Sequence, residues 1–450
     1  MTTPPTRRYL GFSTADAFLF AIMVGCGEAY FGAFGLAVGM SEIQVGLLAS
    51  VPLLMGAAIQ LMSPTMVRLL DSHKKWVIIC TALQSIAFVP MIVMAAMGKG
   101  SAFFVFAAAA MYWGANLATG PAWNTWIGTV VPRPIRSRYF ASRGRVAQVG
   151  IVLGLVATGL LIRQSETERS PAIFLVPFII AMIARFACMW LHGAIAEPRP
   201  IPQTEQRLPI RELVFGKFSA SGGRLLLYML CVQVCVQISG PYFTPFMLGQ
   251  LEFSYTTFTL ILIASFVGKI IALPFLGRIA KVIGERALLW MGGIAIIPLA
   301  AVWAVTDHPV ALIGLQFAAG FAWACYELAT TLMLFESIPA AKRTAMLTLY
   351  NFLNAVCVVV GAMIGAAILK TLGSDREAYL MLFIISSIVR VLTLPLLTWI
   401  HVPAFVPRLL PLRTLSVRPN AGSAERPVLA ADDDAPGPEV EEEEVKSGAS

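Results

Sequence analysis

Three ionisable side chains lie deep in apolar stretches: Glu28 within residues 13–38, Lys269 within 255–277 and Glu327 within 309–335. A charge in hydrocarbon costs about 2.5 kcal/mol or more, so those that persist face a partner or a water-filled cavity. Glu28 stands near the middle of its stretch. A carboxyl there can bind a cation or carry a coupling proton; the plainer reading is a carboxyl satisfied by neighbouring hydroxyls or amides. Lys269 and Glu327 lie at similar depths, so adjacent helices would bring them into an ion pair that offsets the burial of both. Such a pair is either fixed or opened by substrate or proton.

Aromatic and amide side chains recur at helical spacing around these charges. Trp323 precedes Glu327 by one turn and shares its face, with Tyr326 beside it. Trp113 and Asn116, Gln233 and Gln237 followed by Tyr242, and Asn351 and Asn354 complete the candidate cavity lining. Such amides can orient a neutral polar solute, and they equally hydrogen-bond between helices. Four further charges read as structural. Asp16 is expected to reach interfacial water, Glu336 to pair with Lys342 and Arg343, and Arg185 and Arg390 to extend toward headgroups.

The elements that must hold these groups follow from composition. Of 450 residues, 58% are hydrophobic and 13% charged, with a mean hydropathy of +0.76, against roughly 25% charged in soluble domains. A soluble enzyme does not fit. The apolar residues gather into runs long enough to cross about 30 Å of hydrocarbon as helices. They predict spans at 13–38, 43–67, 76–97, 102–130, 145–162 and 171–193, then at 225–248, 255–277, 287–306, 309–335, 344–369 and 378–401. The fold class is therefore an all-α polytopic membrane protein with 12 transmembrane helices in two six-helix bundles.

The bases orient it. With the N-terminus in the cytoplasm, 23 Lys and Arg fall in inner segments and five in outer loops (Lys99, Arg163, Arg169, Lys370 and Arg376). The positive-inside rule then puts both termini in the cytoplasm of a multi-pass protein of the cell (inner) membrane. The net charge of +8 needs no nucleic-acid partner, because the bases sit in short loops between spans. Domain boundaries follow as 1–196, a cytoplasmic linker at 197–224 that contains PRPIPQTEQRLP, 225–402, and a tail at 403–450 that ends in an acidic run and is expected to be disordered.

Several chemistries are missing from the chain. No G-x-x-x-x-G-K-[ST] exists for ATP, no H-E-x-x-H or cysteine cluster for a metal, and no G-x-S-x-G elbow for a hydrolase. Neither an enzyme nor a cofactor is expected, and the seven cysteines, all inside apolar spans, read as small core residues.

The two halves repeat. Tyr30, Phe31 and Phe34 recur as Tyr242, Phe243 and Phe246, and Trp113 as Trp323; Gly150 and Gly154 recur as Gly361 and Gly365; FIIAMIAR ending at Arg185 recurs as FIISSIVR ending at Arg390. The glycine pairs are expected to bring the fifth and eleventh spans against the opposite half. Two like-oriented six-helix halves resemble the parallel-repeat architecture of the major facilitator superfamily. Its loop motif, approximately G-x-L-A-D-R-x-G-R-R, is similar to the stretch after the eighth span, where Gly277, Gly284 and Arg286 keep both glycines and the final base. The copy after the second span, SPTMVRLLDSHKKW, is degenerate, with Pro64 for the first glycine and Arg68 where the acid is expected. The resemblance implies that any latch built on that acid is altered or absent here. The fourth span and its loop, GPAWNTWIGTVVPRPIRSRYFASRGRV, resemble a bacterial permease branch of the superfamily, while the fifth lacks the Gly-Pro pair of drug–proton antiporters.

The resemblance implies a monomeric secondary transporter in a lipid bilayer, moving a small-molecule substrate by alternating access with a coupling proton or ion. The rival is a transporter-like sensor or scaffold that binds a ligand without net flux and signals through its acidic tail. Deleting residues 421–450 separates the two: a transporter keeps its flux, and a tail-signalling sensor loses its output.

Overall fold

A computed structural model describes residues 4–132, 135–163, 170–197, 221–337 and 340–399. Every regular element among them is helical, as hydrocarbon requires: with no water to meet a backbone N–H or C=O, each segment must satisfy its own. Among the described residues, eleven helices are long and apolar enough to cross a membrane. They are α1 (Thr6–Ala37), α2 (Glu42–Gln60), α3 (His73–Met97), α4 (Ala102–Val130), α5 (Ser142–Arg163) and α6 (Pro171–Ala194) in the first half. In the second half they are α7 (Gly223–Gln250), α8 (Tyr255–Ala280), α10 (Pro309–Met333), α11 (Tyr350–Leu372) and α12 (Arg376–Thr398). The remaining predicted span, α9 (residues 285–304), is interrupted. It runs on from α8 through a kink at Gly284 to Ala295, and after a turn ends in the 3-10 helix Ala301–Ala304.

Local chemistry explains where helices start and bend. Ser41, Ser72, Ser254 and Asp375 are N-caps whose side chains accept an orphan backbone N–H of the first turn. The predicted loop between α8 and α9 shrinks to one residue. Gly284 has φ 81° and ψ 164°, a conformation that residues with a Cβ avoid. Gly277 therefore lies inside a helix rather than in a loop, and Arg286 is exposed just past the kink.

The glycine pairs seat their helices differently from the expectation. A Cβ on Gly150 or Gly154 would lie 2.9 Å from the carbonyl oxygen of Phe18 or Ile22, and one on Gly361 or Gly365 would lie 2.5 and 2.2 Å from those of Val234 and Ile238. Thus α5 packs on α1 and α11 on α7, each within its own half. The halves meet instead through α5 against α8 and α2 against α11.

Calling the end that carries Pro4, Glu197 and Thr398 basal and the other apical, the buried core is divided unequally. At the apical end one apolar cluster joins both halves, running from Phe34 and Leu48 to Tyr242, Phe258 and Phe383. At the basal end each half keeps its own cluster, around Trp126 and Ile127 in the first and around Leu288 and Met333 in the second. Of the predicted linker only Glu197 and residues 221–224 are described, and the tail from 403 lies outside the described residues.

Candidate functional site

Glu28 occupies a break in α1. The α-helix ends at Cys26, Glu28–Tyr30 form a 3-10 turn, and an α-helix resumes at Phe31. The repeat-related position in α7 breaks in the same way, with Gly240–Tyr242 in a 3-10 turn, a short helix at Phe243–Pro245 and a π turn at Phe246–Gln250. A residue of special geometry sits at each break. Pro241 lacks the N–H that would continue the ladder, and Gly27 lets the Phe88 ring come within 2.5 Å of where a Cβ would sit.

The two breaks face one small cavity. Its wall includes Glu28, Phe31 and Gly32 of α1, Val45 of α2 and Trp113 of α4 from the first half, with Gly240, Pro241 and Thr244 of α7 from the second. Its volume of about 40 Å³ holds a few water molecules. Glu28 is 3% exposed, and its Oε2 accepts a 2.5 Å hydrogen bond from Tyr112 Oη. The Tyr112 ring is fixed edge-on to Phe31, Phe88 and Trp113. An acid so held, bordered by a mostly apolar cavity that both halves line, can take up and release a proton or counter a cation without rebuilding its surroundings.

Lys269 and Glu327 do meet: Nζ lies 2.5 Å from Oε2, and both residues are buried. The pairing rests on two glycines. A Cβ on Gly268 would lie 2.2 Å from the Phe317 carbonyl, and one on Gly320 would lie 2.2 Å from that of Ser265, so α8 and α10 touch backbone to backbone beside the charges. Trp323 stands edge-on to Tyr326 one turn away.

The remaining sequence candidates separate. Trp113 lines the Glu28 cavity. Tyr242 does not: its Oη donates to the Ala362 carbonyl at 2.6 Å, and its ring fills the space left by Gly46 and Gly365. Asn116, Gln237 and Asn354 are buried, Asn354 accepting a long 3.5 Å bond from Tyr350. Tyr326 is buried against α9, where only Gly292 allows the approach.

Three charges read as lipid- or water-facing are instead buried. Asp16 pairs with Arg143 at 2.9 Å and His192 at 3.1 Å, and the Arg143 guanidinium lies 4.2 Å from the centre of the Trp123 ring. Arg185 lies over Phe20. Arg390 donates to the Ile296 carbonyl, where α9 breaks, and to Ser239, beside the α7 break. The expected pairing of Glu336 with Lys342 and Arg343 involves side chains outside those described. Sequence reasoning missed Tyr112 and Thr244. A buried tyrosine needs a partner for its hydroxyl, and that was the one signal for Tyr112.

A sequence model of the Major Facilitator Superfamily matches residues 10–239 and 225–424. Among solved structures, the nucleoside transporter NupG aligns with a TM-score of 0.65 at 12% identity, covering 88% of this chain and 99% of that one. A bacterial homologue of the human lysosomal transporter Spinster, inward-facing and unoccupied, aligns at 0.63 and 14% identity, covering 89% and 98%. A bacterial homologue of the iron transporter ferroportin, in an inward-facing state, aligns at 0.64 and 13%, covering 88% and 99%. A search of curated proteins finds no match.

Proposed function

The chain belongs to the major facilitator superfamily, and from that membership we propose that it is a secondary transporter moving a small solute by alternating access, with Glu28 as its coupling group. The observation that carries this reading is the pair of repeat-related breaks in α1 and α7, which meet at one cavity with a buried acid in its wall. Broken spans at the interface of two repeats supply backbone polar groups where intact helices would offer none.

The two ends of the molecule support the rest. The joined apical core closes one side, while the separate basal cores leave the halves free to part on the other. Rocking the halves would pass Glu28 from one face to the other, with Tyr112 steadying the carboxylate and Trp113 and Thr244 meeting the solute. Lys269 and Glu327 hold a second buried charge pair, within the second half. The basic basal segments favour a cytoplasmic basal end in the inner membrane, so the arrangement corresponds to an inward-facing state.

The test is pH change in proteoliposomes carrying the wild type or Glu28→Gln, screened against pooled sugars, amino acids, organic acids, drugs and nucleosides. Nucleosides are included because NupG, which shares the fold, transports them. Substrate-evoked proton movement that disappears in the variant is expected. Solute entry without proton movement, equal in the two proteins, would assign Glu28 a structural role.

A further inference from the structure

At the apical end the Glu42 side chain crosses between the halves. Glu42 opens α2, where Ser41 and Gln44 form a reciprocal capping box: Ser41 Oγ accepts the Gln44 N–H at 3.3 Å, and Gln44 Oε1 accepts the Ser41 N–H at 2.9 Å. The start of α2 is thereby fixed and the Glu42 carboxylate is presented to the second half. Its Oε1 accepts from Gln250 Nε2 at 2.8 Å, and its Oε2 from Tyr379 Oη at 2.7 Å.

The receiving side is rigid. Gln250 ends the π turn of α7 and donates also to the Ser374 carbonyl at 3.3 Å, in the turn between α11 and α12. Tyr379 is fully buried, its ring against Phe246 and Phe383. A Cβ at residue 249 would sit 2.4 Å from Glu42 Oε1, so a side chain there would push the carboxylate off its donors. Both oxygens thus receive a neutral donor, and bonds of this charge-assisted kind are about twice as strong as neutral ones.

We propose that Glu42, Gln250 and Tyr379 form the clasp that holds the apical gate shut, a positioning device for the transport cycle distinct from the Glu28 cavity. The proposal rests on the alternating-access reading, since only a molecule that opens at both ends needs such a clasp. At the basal end Asp16 pairs with Arg143 and His192, Ser72 and Lys74 with Glu197, and Arg224 with the Trp399 carbonyl, contacts that each lie within one half. The closed apical end therefore has a polar component that joins the two halves.

The test reads conformation rather than flux. Thr244→Cys, in the wall of the Glu28 cavity, is labelled by a membrane-impermeant thiol reagent added from one side or the other of oriented vesicles, over the background of the same protein without that cysteine. With Glu42 intact, labelling is expected from the basal side. Glu42→Ala and, separately, Tyr379→Phe are expected to raise apical labelling about tenfold and to lower basal labelling, with Glu42→Gln intermediate. Equal rises from both sides, or unchanged sidedness in all three folded variants, would overturn the clasp. A melting curve for each variant excludes misfolded protein, and Tyr379→Phe, which keeps the ring, serves where Glu42→Ala fails to fold. Because labelling needs no substrate, wild-type flux with unchanged sidedness rejects the clasp alone; absent flux in every protein rejects the transport reading alone.

Discussion

Glu28 and the Lys269–Glu327 pair are buried ionisable groups of different kinds, and substitution should tell them apart. Removing one member of a buried pair strands the other, at about 3–5 kcal/mol, while replacing both by apolar groups of like volume is close to neutral. Lys269→Met and Glu327→Gln should each lower thermal stability in detergent, and the double variant Lys269→Met with Glu327→Leu should recover most of it. A double variant no more stable than the singles would contradict a simple pair. At Glu28 the expectation concerns function: Tyr112→Phe removes a hydrogen bond to a charged group, worth roughly 1.5–3 kcal/mol, and should slow substrate-evoked proton movement about tenfold or more while the protein stays folded. An unchanged rate would show that the hydroxyl plays no part in coupling. The sequence made the pair legible because both residues sit at matching depths in apolar runs. It misled at Asp16, Arg185 and Arg390, since depth along one helix says nothing of partners more than 100 positions away, such as Arg143 and His192 for Asp16.

Helices were legible because hydrocarbon leaves the backbone little choice, and α4, predicted at 102–130, is found at Ala102–Val130. The break of α1 at Glu28 was not, because a 3-10 turn of three residues leaves hydropathy unchanged, whereas Pro241 marks the break in α7. The repeat held the hint, since Tyr30 and Tyr242, matched from sequence, each end such a turn. The kink at Gly284 is the clearest element-scale test. With φ at 81°, Gly284→Ala should cost about 1–3 kcal/mol and lower the melting temperature by a few degrees. Gly314→Ala, in α10 with open space around it, should be neutral or slightly stabilising, because alanine favours a helix interior by about 1 kcal/mol over glycine. Equal effects at the two sites would mean that the α8–α9 connection relaxes around the new side chain. The seating of α5 on α1 and of α11 on α7 was misassigned from the glycine spacing for a physical reason: such a stripe shows that a close approach exists but not which helix makes it.

At the scale of the molecule, composition and the internal repeat carried the fold, two six-helix halves of one family, because neither depends on knowing a single contact. The unequal closure of the two ends was not readable, since it arises from packing between residues far apart in the chain, such as Tyr30 bonded to Thr259 and Gly46 against Tyr242. A protein that works by rocking its halves must exchange this asymmetry for its reverse. The direct measurement is the distance between spin labels on introduced cysteines, one pair at the basal end (Arg68 with Arg278) and one at the apical end (Lys99 with Asp307), in proteoliposomes across pH and with the substrate pools. Alternating access predicts opposite changes in the same samples, the basal pair closing as the apical pair opens, with Glu28→Gln shifting the balance between them. Two distances that stay fixed under every condition, or that widen together, would contradict it.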